Sequence, residues 1–266
     1  MSKKRLSKAT FFSSLCSDLE DIARNAGRAI MEIYENPSEV RHKSDGSPVT
    51  RADTNAENVI LSALQKLAPD ILVISEENSA SHFLDAPQSF FLVDPLDGTR
   101  DFLKQDSRGH FTVNIALIEN RQPVVGVVFA PALDRLFSGI VEKDAIESRN
   151  GHIFAINASD PPEAELTAVV SASHQDAETS RWLKRCGITK KVSMGSSLKL
   201  CLVASGEADV YPRFSPTMEW DIAAGHAVLL AAGGVIMNLD GTKLKYRKPN
   251  YRNGAFIAWG SGKQPL

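Results

Sequence analysis

The sequence predicts an α+β or layered α/β protein in two unequal halves, and three observations support this. Two amphipathic helices come first, a run of adjacent strands follows, and strands and helices alternate in the last third of the chain. A Ser-Asp-Pro-Pro segment at residues 159–162 is typical of a loop between domains. The length of 266 residues allows one large domain or two small ones. We therefore expect domains at residues 1–158 and 159–266.

Hydrophobic periodicity predicts the elements of the first half. Leu19, Ile22, Ala26 and Ile30 recur at three- and four-residue steps, which indicates a helix. Helices are predicted at about residues 17–34 and 51–67. Strands are predicted at about 71–74, 90–93, 111–118, 124–129 and 136–141. Turns are predicted at 43–48, 119–123 and 149–151.

The second half alternates between short apolar strands and helices. Strands are predicted at about residues 166–171, 208–211, 235–238 and 256–259. Helices are predicted at about 177–186, 196–205 and 220–232, and Gly233-Gly234 ends the last of them.

Composition excludes several classes of protein. Hydrophobic residues make up 43% and charged residues 23%, which excludes a disordered chain, a collagen-like repeat and a disulfide-stapled miniprotein. The 30 basic and 32 acidic residues give a net charge of −2. This balance argues against binding a nucleic acid polymer through a basic surface, but it allows a small acidic ligand in a local basic pocket.

The cysteines and the N-terminus indicate a compartment. Cys16, Cys186 and Cys201 form an odd, scattered set that is typical of reduced thiols. The basic residues 1–5 are not followed by the apolar run of a signal peptide, and no stretch is long enough to span a membrane. We expect a cytoplasmic protein, with peripheral attachment to an anionic membrane surface as the alternative.

Acidic residues follow two predicted strands directly. Glu76 follows the strand at 71–74, and Asp94 and Asp97 follow the strand at 90–93 in Asp-Pro-Leu-Asp-Gly-Thr. Pro95 has no N–H and holds the turn, so the Leu96 carbonyl can point outward beside the carboxylates. These oxygens suit Mg²⁺, and two such ions could activate a water and stabilise a leaving oxygen. The alternative is a set of local turns in which Asp97 caps a helix.

Two further acids can be read in two ways. Asp53 and Asp221 each lie in the first turn of a predicted helix, where an acid either caps the helix or reaches a site. Gly98 and Thr99 could offer backbone N–H groups to an anion. The spacing alone does not decide between these roles.

Together these motifs resemble the Mg²⁺-dependent, lithium-sensitive inositol monophosphatase superfamily, and most of all its bisphosphate nucleotidases. The matching segments, which span nearly the whole chain, are residues 43–50, 75–77, 94–99, 111–119, 130–136 and 206–225. The resemblance implies a layered αβαβα sandwich. It also implies hydrolysis of the 3'-phosphate of 3'-phosphoadenosine 5'-phosphate to AMP, which recycles a by-product of sulfate assimilation. A further candidate substrate is 3'-phosphoadenylyl sulfate.

The resemblance also implies roles for the residues at the matching positions. The groups that would hold two or three Mg²⁺ ions are those of Glu76, Asp94, Leu96, Asp97 and Asp221. Asp53 would help to hold a further ion and orient water, and Thr99 would pair with Asp53 or Glu76 to position the attacking water. The Gly98 and Thr99 amides would hold the phosphate, beside Leu96, Asp97 and Asp221. Inhibition by Li⁺ and in-line attack without a covalent enzyme intermediate are expected.

Nucleotide specificity is expected in the second half. Bisphosphate nucleotidases have a Ser or Thr three residues before a His, and a Gly four residues before a Lys. Ser171 and His174, and Gly195 and Lys199, match these patterns. From spacing alone, Lys199 would be a solvated helix lysine and His174 a loop histidine without a ligand. His110 and Ala172 depart from the family pattern, which leaves the preferred nucleotide open.

Two other hypotheses remain open on the sequence, and a third fails. A sugar or inositol monophosphatase would use the same metal site, and a silent nucleotide- or metal-sensing module would bind without turnover. A generic α/β protein whose acids only cap helices would require five acids in four segments to coincide with one metal-site pattern.

Overall fold

The computed structural model describes residues 7–35, 40–42, 48–104, 109–160, 165–172 and 176–260. Four sequence-based predictions therefore fall wholly or partly outside the described residues. They are the basic N-terminal residues 1–5, the turn at 43–48, the boundary loop at 159–162 and His174.

The described residues contain six α-helices and sixteen strands. The helices are α1 (Lys8–Tyr34), α2 (Arg51–Leu67), α3 (Thr99–Lys104), α4 (Ala177–Arg185), α5 (Leu198–Ala204) and α6 (Glu219–Ala231). The first strands are β1 (Val40–His42), β2 (Pro48–Thr50), β3 (Leu72–Ser75), β4 (Ser89–Asp97), β5 (Thr112–Glu119), β6 (Gln122–Ala130), β7 (Arg135–Ile140), β8 (Asp144–Arg149) and β9 (His152–Ala155). The remaining strands are β10 (Thr167–Ser171), β11 (Lys190–Met194), β12 (Val210–Arg213), β13 (Thr217–Met218), β14 (Val235–Asn238), β15 (Arg252–Asn253) and β16 (Phe256–Trp259).

Two large sheets organise the molecule. The first has seven strands in the order β3-β4-β5-β6-β7-β8-β9, with β3 and β4 parallel and every other pair antiparallel. The second has five strands in the order β11-β10-β12-β16-β14, with β10 parallel to β11 and β12 and with β16 antiparallel to β12 and β14. The pairs β1-β2 and β13-β15 form two small ribbons.

The helices form three layers around these sheets. Helices α1 and α2 pack with the first sheet in one apolar cluster that includes Leu19, Ile60 and Phe91. Helices α5 and α6 lie in a second cluster that contains residues of both sheets. Helix α4 covers the far side of the second sheet, where Trp182 contacts Trp259. The order of layers is αβαβα, which confirms the layered sandwich.

Helix α6 lies against the first sheet at very short range. A Cβ atom on Gly126 of β6 would lie 2.4 Å from the Ala224 carbonyl oxygen, and one on Gly139 of β7 would lie 2.8 Å from the Val228 Cα. Neither position has room for a side chain, so the backbones of helix and sheet are in contact. The helix is buried nearly all round, as its small and apolar composition predicts.

Several elements differ from the sequence-based prediction. Helix α1 begins at Lys8, well before the predicted start, because the Ser7 side chain accepts a hydrogen bond from the Thr10 N–H and caps it. Strands β8 and β11 were not predicted, since they are rich in polar and charged residues and lack the apolar runs used to recognise strands. Strand β9 was also missed, because it has only four residues. No helix in the described part of the chain is long and apolar enough to cross a membrane.

Candidate metal and substrate site

Two parallel strands bring the predicted acids to one edge of the first sheet. Strands β3 and β4 run side by side, and Glu76 and Asp94 lie at or beyond the points where their regular pairing ends. The Glu76 N–H donates to the Val93 carbonyl at 3.1 Å, which fixes the start of the Glu76 loop on β4. The pairing of β4 with β5 shifts between Asp94 and Asp97, so this segment bulges. The bulge turns the second acid of the motif toward the same edge.

Local hydrogen bonds shape the Asp94-Pro95-Leu96-Asp97 segment. The Leu96 N–H donates to Asp94 Oδ1 at 3.1 Å. The Thr99 hydroxyl donates to the Leu96 carbonyl at 3.2 Å, so in this structure its hydrogen bond goes to that carbonyl. Gly98 has a φ of +92°, and a Cβ there would lie 2.7 Å from the His110 carbonyl oxygen. The backbone turn therefore requires glycine at this position.

Asp221 comes from the first turn of α6. Its Oδ2 accepts a hydrogen bond from the Met218 N–H at 2.8 Å, so Asp221 caps its helix as the sequence allowed. Its carbonyl accepts a hydrogen bond from the Ser197 hydroxyl, which ties α6 to the start of α5. Asp221 thus caps the helix and faces the site, and the two interpretations of this acid are compatible.

Glu76, Asp94 and Asp221 converge. One carboxylate oxygen from each lies within 4.8 Å of the others. Asp94 is 1% exposed, and its Oδ2 has no hydrogen-bond partner among the described residues. A buried, unpartnered carboxylate oxygen facing two further carboxylates is unfavourable unless a proton or cation lies between them. The donor set consists of carboxylate oxygens, which suits a hard divalent cation such as Mg²⁺.

The electrostatics of the site agree with this geometry. Burial raises the pKa of Asp94 well above its usual range, and the nearby Glu76, Asp97 and Asp221 carboxylates raise it further. Burial also raises the pKa of Asp221, to about 7, and Asp97 adds to that effect. Asp53 lies in the first turn of α2, is 3% exposed and contributes to the raised pKa of Asp94. Without a cation, burial and mutual repulsion thus raise the proton affinity of Asp94 and Asp221 above that of the same groups in water.

Lys199 is the basic group beside the acids. It is 7% exposed, and its ammonium donates a hydrogen bond to the Ser196 carbonyl and lies 5.5 Å from the centre of the Tyr211 ring. Burial lowers the pKa of Lys199 to about 8, while the neighbouring Asp97 opposes that shift. Lys199 is not the solvated helix lysine that spacing alone suggested.

Gly195 makes the close approach between the two halves of the site possible. A Cβ on Gly195 would lie 2.5 Å from Asp101 Oδ2 and 2.8 Å from the His110 carbonyl oxygen. The next residue, Ser196, has a φ of +49°, and α5 begins just beyond it. The predicted Gly195–Lys199 segment therefore packs directly against the loop that follows Asp97.

A cavity of about 350 Å³ joins these groups. The predicted residues in its wall are Glu76, Leu96, Asp97, Gly98, Thr99, Ser171, Gly195, Lys199 and Asp221. Asp53 and Asp94 are not in this wall. A smaller adjoining cavity, of about 150 Å³, shares Ser171, Tyr211 and Arg213 with it.

Two arginines of the site, Arg213 and Arg100, were not predicted from the sequence. Both line the 350 Å³ cavity, and Arg213 also lines the adjoining one, at the end of β12. The Arg213 guanidinium donates from Nε to the Ser215 carbonyl at 3.0 Å, which holds it beside the cavity. Arg213 could have been predicted because it is a charged residue at the end of a short apolar strand. Asp94 was predicted from the same kind of pattern.

A family model and named relatives match most of this chain. A model of the inositol monophosphatase family matches residues 14–263. The 3'(2'),5'-bisphosphate nucleotidase CysQ of Shigella flexneri is 46% identical over 230 residues, which cover 85% of this chain and 91% of that protein. CysQ of Buchnera aphidicola is 41% identical over 243 residues, covering 89% of this chain and 90% of that protein.

Solved structures agree with the sequence comparisons. The crystal structure of CysQ from Bacteroides thetaiotaomicron, described as a bacterial member of the inositol monophosphatase family, is similar with a TM-score of 0.82. It is 35% identical, and the match covers 96% of this chain and 100% of that one. Inositol monophosphatase from Anabaena has a TM-score of 0.74 at 26% identity, over 95% of this chain and 92% of that one.

Proposed function

Because the chain belongs to the inositol monophosphatase family, we propose that it is a metal-dependent 3'(2'),5'-bisphosphate nucleotidase. It hydrolyses the 3'-phosphate of 3'-phosphoadenosine 5'-phosphate to give AMP and phosphate. The relatives that carry this name are 46% identical to the chain over most of its length. The structural observation that carries the proposal is the convergence of Glu76, Asp94 and Asp221 beside a buried lysine.

The acidic cluster provides the metal site of this reaction. Members of the family depend on a divalent metal, typically Mg²⁺. The orphaned Asp94 Oδ2 and the facing Glu76 and Asp221 oxygens fit such an ion. The Asp97 carboxylate, the Leu96 carbonyl and Asp53 complete a set for two or three ions, with Li⁺ as an inhibitor. Bound Mg²⁺ supplies charge neutralisation on the phosphoryl oxygens and lowers the pKa of water.

The chain's own residues orient the reacting groups. The Thr99 hydroxyl, which donates to the Leu96 carbonyl here, turns to donate to the carboxylate of Asp53 or Glu76 and accepts a hydrogen bond from the attacking water. The N–H groups of Gly98 and Thr99 hold the phosphate in line with this water. No covalent enzyme intermediate is required, since water is the nucleophile.

Basic groups beside the acids favour a doubly phosphorylated substrate. Lys199 is buried, and Arg213 lies where the two cavities meet. A bisphosphate carries a second anionic group that a simple phosphate monoester lacks, and these cations give it a partner. Ser171, Gly195 and His174 hold the nucleotide, and the adjoining 150 Å³ cavity accepts its less polar part.

A substrate screen with a matched lysine variant tests this function. Phosphate release from 3'-phosphoadenosine 5'-phosphate, 3'-phosphoadenylyl sulfate and inositol 1-phosphate is measured with Mg²⁺ and with EDTA. We expect Mg²⁺-dependent turnover of the nucleotide with AMP left intact. Lys199→Met removes a buried cation and should lower kcat/KM for the nucleotide roughly 10- to 100-fold. The control Lys66→Met, at an exposed position in the last turn of α2, should match wild type.

The same screen separates the competing functions. Comparable turnover of inositol 1-phosphate, with kinetics on the nucleotide unaffected by Lys199→Met, would favour a broader monophosphatase on the same metal site. Binding of the nucleotide without phosphate release would favour a silent sensing module. Activity that persists in EDTA would contradict the role given to the acidic cluster.

A further inference from the structure

Strand β5 places two polar side chains on the same face of the first sheet as the metal-site acids. In the pairing of β4 with β5, Asn114 lies opposite Asp94 and Thr112 lies opposite Asp97. Opposite residues of an antiparallel pair project from one face of the sheet, with Cβ atoms about 4.5–5.5 Å apart. Ala116, two positions beyond Asn114, belongs to the apolar cluster that contains α6, so Asn114 lies on the face that this helix covers.

The polar atoms of Asn114 and Thr112 are buried without partners. Asn114 is 1% exposed and Thr112 is 0% exposed. Neither nitrogen nor oxygen of the Asn114 amide, nor the Thr112 hydroxyl, makes a hydrogen bond within the described part of the chain. Most buried polar side-chain atoms in proteins are hydrogen-bonded, and leaving them unpaired is unfavourable. Asparagine at this position therefore lowers the stability of the metal-free fold, as residues that serve a site often do.

The neighbours of Asn114 limit what its amide can bind. On β4 the neighbour is Asp94, on β6 it is the apolar Val128, and Thr112 lies two residues away along β5. Asp94 Oδ1 already accepts the Leu96 N–H at 3.1 Å, whereas Oδ2 is a buried acceptor without a partner among the described residues. An amide donor and a carboxylate acceptor that both lack partners thus occupy opposite positions of two paired strands.

These side chains are complementary as donors and acceptors. A threonine hydroxyl donates one proton, an asparagine amide accepts at Oδ1 and donates at Nδ2, and an ionised carboxylate only accepts. A chain from Thr112 through Asn114 to Asp94 pairs four atoms that otherwise have no partner. A carboxylate oxygen has two lone pairs, so Asp94 Oδ2 can accept this hydrogen bond and bind a cation at the same time.

We propose that Asn114 is a positioning residue of the metal site, a role that rests on the proposed metal-dependent function. With Mg²⁺ bound, Asn114 Nδ2 donates to Asp94 Oδ2, and Asn114 Oδ1 accepts from the Thr112 hydroxyl. Both oxygens of Asp94 are then held by hydrogen bonds, and the carboxylate keeps one orientation toward the ion. Loss of a hydrogen-bond partner of this kind typically weakens metal binding about 10- to 100-fold.

Asn114→Leu tests this role, because it replaces the amide with an apolar group of nearly the same shape. We expect the Tm of the metal-free protein to rise by about 2–6 °C, since a buried side chain without partners is removed. The Mg²⁺ affinity, obtained from the rise in Tm along a MgCl₂ titration, should fall roughly ten-fold. An asparagine with only a structural role would give a lower Tm and an unchanged affinity.

Asn238→Leu is the matched control. Asn238 lies on β14, an edge strand of the second sheet, and its Nδ2 donates to the Thr242 hydroxyl at 3.0 Å. Because this amide already has a partner, its replacement should give a Tm no higher than that of the wild type. Asn238 is not in the wall of the 350 Å³ cavity, so the affinity for Mg²⁺ should not change.

Thr112→Val tests the same chain without altering the asparagine. It is nearly isosteric, and it should raise the Tm of the metal-free protein and weaken Mg²⁺ binding about two- to five-fold. In the Asn114→Leu background it should have no further effect on Mg²⁺ binding, because Thr112 acts through Asn114. In turnover of 3'-phosphoadenosine 5'-phosphate, Asn114→Leu should raise the half-saturating Mg²⁺ concentration. At saturating Mg²⁺ it should change the KM for the nucleotide less than about two-fold.

Three results would overturn the proposal while leaving the proposed function in place. They are an unchanged Mg²⁺ affinity of Asn114→Leu, a lower Tm of that variant without metal, and additive effects of Asn114→Leu and Thr112→Val on Mg²⁺ binding. If Asn114→Leu does not fold, Thr112→Val decides by its own Tm and Mg²⁺ affinity. A wild type that shows no change of Tm with Mg²⁺ and releases no phosphate would refute the proposed function itself, and the role of Asn114 with it.

Discussion

Asp94→Asn should make the metal-free protein more stable while removing its activity. Asp94 is 1% exposed, burial and four neighbouring carboxylates raise its pKa, and Oδ2 has no hydrogen-bond partner among the described residues. Asparagine has nearly the same shape, carries no charge and keeps an oxygen that can accept from the Leu96 N–H. The substitution therefore removes an unfavourable buried charge and preserves the local turn.

The size of the effect follows from the relation between proton affinity and stability. A tenfold difference in proton affinity between the folded and unfolded states corresponds to about 1.4 kcal/mol. For a chain of this size, 1 kcal/mol changes Tm by roughly 2–4 °C. A tenfold higher proton affinity of Asp94 in the folded state thus predicts a rise in Tm of about 3–6 °C for metal-free Asp94→Asn at neutral pH.

The pH dependence gives an independent check on this reasoning. The pKa of Asp94 is higher in the folded protein than in the unfolded chain, so the folded state favours the protonated carboxyl group over the carboxylate. Its ionisation therefore costs stability progressively as pH rises above the unfolded value of 3.8. The difference in Tm between variant and wild type should be small near that pH and should grow toward neutral pH.

Differential scanning fluorimetry with and without Mg²⁺ measures both effects. Mg²⁺ should raise the Tm of the wild type, because it binds only the folded state, and should have little effect on Asp94→Asn. Asp209→Asn is a control at another buried aspartate, whose Oδ2 accepts the Thr167 N–H at 2.7 Å. It should not be stabilised. A lower Tm for metal-free Asp94→Asn, or an undiminished response to Mg²⁺, would refute the reasoning.

Two further predictions concern buried groups. The folded pKa of His226, about 3, is below its unfolded value of 6.5, so its contribution to stability is present above 6.5 and is lost as pH falls toward 3. In urea unfolding below pH 6.5, the free energy of unfolding of the wild type should fall by up to about 1.4 kcal/mol per pH unit more than that of His226→Gln. The same pH dependence in the two proteins would contradict this prediction. Gly195→Ala should lower kcat/KM at least ten-fold and stability by about 1–3 kcal/mol, because its Cβ would meet Asp101 Oδ2 at 2.5 Å. Gly254→Ala, which has open space around it, should match wild type in both assays, and equal behaviour of the two variants would contradict the steric argument.

The acids at the strand ends were predictable because their signal is local. A buried strand fixes the direction of the residue that follows it, and β3 and β4 are parallel, so Glu76 and Asp94 meet at one edge. Asp221 was ambiguous, since a capping acid and a site acid occupy the same first turn of a helix. The structure shows that its Oδ2 caps while the carboxylate also faces the cluster.

Other features depend on contacts between distant segments and had no local signal. The burial of Lys199 depends on α5 packing beneath the second sheet, and spacing alone predicted the opposite. The contact of His226 Nδ1 with the Tyr246 hydroxyl joins residues that are twenty positions apart. The division into domains at residues 158 and 159 and the roles of the individual site residues stay predictions.

The contact between α6 and the glycines of the first sheet has a consequence for how the site withstands change. Asp221 lies on α6, which meets β6 and β7 of the first sheet through main-chain atoms at Gly126 and Gly139, and Asp94 lies on β4 of the same sheet. Main-chain atoms have no rotamers, so a change of side-chain conformation cannot absorb a displacement at these contacts. Substitutions elsewhere in the core can lower the stability of the fold while the spacing of the carboxylates stays constant.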